Sequence, residues 1–261
     1  MASVAVLKRA DSLFFGGIAV LLIGYVLLGF WPSYFAAGLI LSPLPSMLVH
    51  VHALLSIGWI VMFAVQILLV GRGKTLVHRQ VGQLMAWWAM AIAVVGPATV
   101  VMAVRRGAEG VGAGPFAGDL AQSLAFAILI GTGLSRRRFP AEHKRLMMLA
   151  TAAITGPAII RWPFGFLEQN PPAGILFFYL LPAILLMGYD LRMLHRVHRA
   201  TWFGLGLMLL VLVSFIALPH YQYGKNLRFG SGTHSSNGCN RVVYSPAEKA
   251  RLGRKPGTAK R

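Results

Sequence analysis

The chain has one cysteine, Cys239, and only seven acidic residues in 261. A lone cysteine excludes an intrachain disulfide, a cysteine-based zinc site and an iron–sulfur cluster. The acids are scattered, so acid–base catalysis by paired carboxylates has no support, and only Asp190 has several histidines in its sequence neighbourhood. Soluble-enzyme motifs are missing as well. There is no Gly-x-Ser-x-Gly elbow, no Gly-rich phosphate loop with its lysine, and no His-Glu-x-x-His pair. Glu142-His143 does not start such a pair, because no second histidine follows at the required spacing. No internal or inverted repeat is visible.

Apolar residues and positive charge are what the chain does have. It is 56% hydrophobic and 12% charged, with a net charge of +18 and a mean hydropathy of +0.65. That is too apolar for a soluble domain, and the apolar residues run in unbroken stretches. The composition therefore reads as a multi-pass helical membrane protein, one bundle in size, and nucleic acid is not an expected partner despite the charge. Lys8-Arg9 precedes an apolar run, as in a signal peptide. The run from Leu13 to Trp31 is too long for that, and no small-x-small site follows it closely, so the expectation is a retained first helix.

A spanning helix needs about 20 mostly apolar residues. Seven stretches qualify: Leu13–Trp31, Val49–Val70, Val81–Val104, Phe116–Leu134, Leu146–Trp162, Gly174–Tyr189 and Trp202–Leu218. The fold class is thus all-α, a polytopic bundle of about seven helices over residues 1–218. A basic tail, expected to be disordered, covers 219–261. Of the 16 basic residues before the tail, 13 fall on one face in this threading, including Arg72, Lys74, Arg79, Arg136–Arg138, Lys144 and Arg145. The positive-inside rule then places that face, and the N-terminus, in the cytoplasm. Trp31, Tyr34, Trp162 and Trp202 sit near helix ends, as an aromatic belt requires.

Ionisable residues in or beside spans are costly and so point to function. Stepping by three and four from His52 gives Ser56, Trp59, Phe63 and Gln66, a stripe expected to face the bundle interior, with Gln66 bonded to another helix. His50 and His52 point about 200° apart on a regular helix and cannot serve one site. The third helix opens with His78-Arg79, and Gly82, Ala89 and Gly96 offer a thin side for a neighbour. The fifth carries His143, Met147, Thr151, Ile154, Ala158 and Arg161 on one face, with a kink expected at Gly156-Pro157. One boundary thereby collects His78, His143, Asp190, His195 and His198. The other collects His50, His52, Arg161 and His220.

Together His52 with Trp59, Phe63 and Gln66, then His78-Arg79-x-x-Gly82, His143-Lys144-Arg145-Leu146-Met147 through Pro157 to Arg161, and Asp190 with His198, resemble a group of bacterial multi-pass membrane proteins. That group shares a domain of unknown function. The likeness runs from about Leu13 to His198 and implies a polytopic fold in the bacterial inner membrane, without an activity. A more distant likeness is to cytochrome b-type haem-binding bundles. Those helices often carry two histidines about fourteen positions apart, whereas here Gln66 follows His52 and Pro157 follows His143 at that spacing. A two-haem path is therefore not expected.

Three functions stay open. The first is a histidine-ligated cofactor at the cytoplasmic boundary, serving electron transfer or oxidoreduction with a membrane redox partner. Haem b would take His78 and His143, with Arg79 and Arg145 pairing the propionates. A divalent metal would take His78, His143, Asp190 and His198. The second is a transporter or a lipid or small-molecule binder, in which Gln66, Thr151 and Tyr179 line a cavity and Arg161 or Arg79 binds an anion. The third is a structural or assembly role without a cofactor, with membrane lipids the only certain partners.

Overall fold

The computed structural model describes the backbone of residues 4–39, 46–106, 113–164 and 171–230, and side chains over 9–39, 46–106, 116–164 and 173–215. Every regular element among them is a helix: α1 (Val4–Phe30), a π-helical turn (Trp31–Phe35), α2 (Met47–Gly71), α3 (Thr75–Arg105), α4 (Ala113–Ser135), α5 (Pro140–Ala153), α6 (Gly156–Ile159), α7 (Pro171–Leu194) and α8 (Arg199–Gly230). Residues through Tyr221 form one compact unit. The backbone of α8 continues helically past residue 218 to Gly230, and residues 231–261, with most of the expected tail, lie outside the described part. Glu109, Glu168 and the His220 side chain also lie outside it.

Five described helices, Arg9–Phe35, Met47–Gly71, Thr75–Arg105, Phe116–Ser135 and Ala173–Leu194, are long and apolar enough to cross a membrane, and Arg199–Phe215 is a shorter apolar one. Their outward faces carry exposed Val20, Leu54, Leu68, Trp87, Val94 and Leu210. In hydrocarbon such residues cost nothing, whereas in water they would form a large sticky surface. Short linkers at residues 72–74 and 136–139 join α2 to α3 and α4 to α5, and these pairs pack side by side.

The expected fifth span, Leu146–Trp162, is not one helix. It breaks at Ile154-Thr155 into α5 and the single turn α6. Proline is the cause: Pro157 has no N–H for the carbonyl of Ala153 and its ring crowds that carbonyl. The hydroxyl of Tyr179 donates to the freed Ala153 oxygen at 3.1 Å, and Thr155 Oγ1 donates to Ala152 O at 2.7 Å. Pro182 in α7 poses the same problem, since it frees the carbonyl of Phe178. The hydroxyl of Tyr25 donates to that oxygen at 2.9 Å. Two tyrosines from other helices thus satisfy two proline-orphaned carbonyls, which a low-dielectric interior requires.

Although broken, the α5–α6 segment runs the height of α4. His143 meets the carbonyl of Gly133 at one end, and Arg161 lies within electrostatic reach of Asp119 at the other. It is also the centre of the bundle. Leu146, Met148, Leu149, Thr151 and Ile159 are all fully buried. Trp59 Nε1 of α2 donates to Thr151 Oγ1 at 3.2 Å, and the Trp59 ring meets Phe126 of α4 edge-on. Glycine sets the approach of α1, because a Cβ at Gly29 would lie 2.2 Å from the carbonyl oxygen of Ala158.

Candidate functional site

The end of the bundle where α1 starts, α2 gives way to α3 and α5 begins holds most of the described ionisable side chains, and they sort into two centres. The first is an ion pair inside the protein. Arg145 and Asp190 have side chains 3% and 0% exposed. Asp190 Oδ1 accepts from Arg145 Nε at 2.9 Å and Nη2 at 2.5 Å. Its Oδ2 accepts from the His198 backbone N–H at 3.0 Å and the Thr201 hydroxyl at 2.6 Å. Arg145 Nη1 donates to Ala141 O at 2.7 Å. A carboxylate taking four donors has no lone pair directed elsewhere.

The linker between α7 and α8 is shaped for this centre. His195 adopts a left-handed conformation (φ 54°), and its N–H caps Leu191 O at 3.1 Å. The chain then reverses, so that His198 and Thr201 come back onto Asp190. His198 Nδ1 accepts from the Ala200 N–H at 3.1 Å. Burial, then the nearby Arg145 charge, pushes the His198 imidazole below its ordinary range, against Asp190 and Glu142. It is a neutral ring with Nδ1 committed to the backbone. A peripheral layer adds Lys144 on Asp11 at 2.6 Å, the Tyr189 hydroxyl on the same carboxylate, and Arg199 on Glu142 at 2.6 Å.

The second centre is a pair of imidazoles. His78 of α3 and His143 of α5 have ring centroids 6.4 Å apart and planes at 82°. His143 Nδ1 lies 2.7 Å from Gly133 O. A carbonyl only accepts, so Nδ1 holds the proton, and in the neutral ring Nε2 holds the free lone pair. The backbone carbonyl of His78 accepts from Gln66 Nε2 of α2 at 3.2 Å. His78 Nδ1 and Gln66 Oε1 are both buried and have no hydrogen-bond partner among the described residues. Here bonding capacity is left over, and in a buried site that calls for an explanation.

The structure therefore divides the residues that the sequence gathers at this boundary. His78, His143 and Gln66 come together, while Asp190 and His198 belong to the Arg145 centre. The four-residue metal set is corrected on this point: among the described residues no group of three His, Cys, Asp or Glu side chains is arranged to hold a metal ion. Arg145 faces Asp190 rather than an open anion site, and Arg79 is exposed at the start of α3.

The opposite end holds His52 and Arg161. The His52 ring lies over the thin side of α3, with Cε1 3.7 Å from where a Gly96 Cβ would stand and Ser123 Oγ 3.4 Å from the same point. His50, on the other side of α2, is next to Tyr34, with ring centroids 6.2 Å apart. Arg161 donates to Pro157 O at 2.5 Å and covers the Phe30 ring. Tyr34 Oη, His50 Nδ1, His52 Nδ1 and Gln122 Oε1 are buried without hydrogen-bond partners among the described residues. Sequence reasoning missed Tyr34 and Gln122 as polar groups of this end. Gln122 could have been found from its place four residues before Phe126 on the inward face of α4. Comparison with known protein families, curated proteins and solved structures finds no match, so the reading of these sites rests on their geometry alone.

Proposed function

We propose that this chain is a multi-pass protein of the bacterial inner membrane that holds one haem b between His78 and His143 and serves electron transfer with a membrane redox partner. The observation that carries the reading is the separation of the two rings. A metal–imidazole bond is about 2 Å, and rings whose centroids are 6.4 Å apart could both reach one metal ion. They come from different helices, and the Gly133 carbonyl orients His143 with its lone pair on Nε2, the usual role of an outer partner to a ligating histidine. A haem bound there would supply one-electron redox chemistry. The protein's part is to fix both rings, His143 through the Gly133 carbonyl and the His78 backbone through Gln66 Nε2. Arg79, exposed one residue on, is the cation available for a propionate.

The basic linkers support a cytoplasmic N-terminus with this pair at the cytoplasmic face. The broken α5–α6 segment, reaching from one end of α4 to the other, supports counting it as a crossing, for seven in all. The resemblance to bacterial membrane proteins of unknown function belongs to the same reading.

The test is a reduced-minus-oxidised visible spectrum with metal analysis, on protein purified from haem-replete cells. The expected result is a b-type spectrum that is lost in both His78→Ala and His143→Ala. A colourless wild type, or a spectrum that survives both substitutions, overturns it. A second reading, a carrier or binder of a small polar molecule, draws on the four partnerless polar atoms at the far end and the helix break beside them. Replacing Arg161 and Gln122 without effect on the binding or flux of any tested solute would count against it.

A further inference from the structure

Between α4, α5 and α8 lies a cleft of about 290 Å³. Thr132, Arg136, Glu142 and Arg199 supply its polar lining, and Leu146 and Phe203 its apolar one. The lining residues lie at different depths. Leu146 is 2% exposed and the Glu142 side chain 11%, while the Arg136 and Arg199 side chains are 48% and 80% exposed and Phe203 is exposed beside them. The opening of the cleft is thus cationic with an apolar edge. Two guanidinium groups share one carboxylate. Arg199 places both Nε and Nη2 on Glu142 Oε1, whereas Arg136 stays 3.6 Å from Oε2, too far for a hydrogen bond. One positive charge is left over, its Arg136 donors without a hydrogen-bond acceptor among the described residues. Next to the opening, Trp202 and Phe203 are exposed on α8, so an acyl chain leaving the cleft would meet apolar surface.

We propose that this cleft binds the phosphate headgroup of an anionic phospholipid. Arg136 and the outer edge of Arg199 take the phosphate oxygens, and the first part of an acyl chain lies against Leu146 and Phe203. A free phosphate would satisfy the cations but leave the apolar lining unused. A zwitterionic lipid would bring its own cation to an opening that already has a surplus one. Basic clefts between helices at a membrane boundary suit this ligand class, and Arg can fork onto two phosphate oxygens. The proposal is independent of the haem reading, because neither His78 nor His143 lines the cleft.

The full chain, reconstituted in phosphatidylcholine alone or mixed with phosphatidylglycerol, is examined by native mass spectrometry for retained lipid. Wild type should retain phosphatidylglycerol in preference to phosphatidylcholine. Retention should fall about fivefold in Arg136→Gln or Arg199→Gln and roughly thirtyfold in the double variant, as expected for one surface cation each. Arg192→Gln, which removes an exposed charge outside the cleft, should change nothing. Equal retention of the two lipids, an equal loss in Arg192→Gln, or displacement of the lipid by inorganic phosphate alone would each overturn the proposal. Retained helical circular dichroism and a cooperative thermal transition in the glutamine variants separate loss of the site from loss of the fold.

Discussion

The Arg145–Asp190 centre and the His78–His143 pair both sit where α5 begins, built from residues two apart on the same helix, yet they are bonded in opposite ways. Asp190 takes four donors and Arg145 is fully enclosed. The imidazole pair leaves His78 Nδ1 and Gln66 Oε1 without partners. A saturated buried ion pair cannot take on another ligand without losing a bond it already has, so its role is to tie α5, α7 and α8 together. An unsaturated pair of rings can accept a ligand at little cost. Difference in bonding, rather than residue type, separates the structural centre from the candidate reactive one.

The contrast is easiest to break at Asp190. Asp190→Ala would strand a buried guanidinium and should cost about 3–5 kcal/mol. His143→Ala in apo protein loses one ordinary hydrogen bond and should cost about 1 kcal/mol. Denaturation midpoints in detergent measure both, and equal losses would abolish the distinction. Thr201→Val keeps the shape but removes one donor to the carboxylate, with an expected loss of about 2 kcal/mol by the same measurement. A smaller effect is expected in acid. Hydrogen bonds from Arg199, opposed by burial and helped by the Arg199 and Arg136 charges, hold the Glu142 carboxyl below its ordinary 4.5. A depressed carboxyl stabilises the fold above that pH, and the contribution is lost as pH falls through the lower folded value. Glu142→Gln should therefore flatten the acid limb of a plot of stability against pH, and an unchanged limb would mean that Arg199 contributes nothing there. Smallest of all should be Gln66→Leu, which removes a partnerless oxygen together with one neutral bond. Its midpoint should stay within about 1 kcal/mol of wild type.

The long helices were legible because their apolar runs are long and continuous and include the exposed outward faces. α5 was not, and the reason is physical. It is surrounded by protein, so it can carry Glu142, His143, Lys144 and Arg145 in its first turns where their partners await them, and its apolar stretch is short. Hydropathy measures suitability for lipid, and the most buried helix of this bundle is not the most apolar. The inward stripe of α2 was readable from spacing, since Trp59, Phe63 and Gln66 are all buried, as was the need of Gln66 for another helix. The kink at Pro157 was readable too, although not the full break or the tyrosine that repairs it. Arg145 was read as an anion binder because its partner lies 45 positions away. Its burial left few acids on the same face to choose from, and counting them would have narrowed the choice to Asp11, Glu142 and Asp190.

By itself the sequence determined that the chain is helical and that several of its stretches are long and apolar enough to span a bilayer. These follow from local composition, because a run of apolar residues in hydrocarbon has one inexpensive way to bond its backbone. Only the tertiary structure decided which polar groups are used up and which are spare. Each of those bonds joins atoms from separate helices, and whether Asp190 meets a metal or Arg145 depends on how α5, α7 and α8 pack.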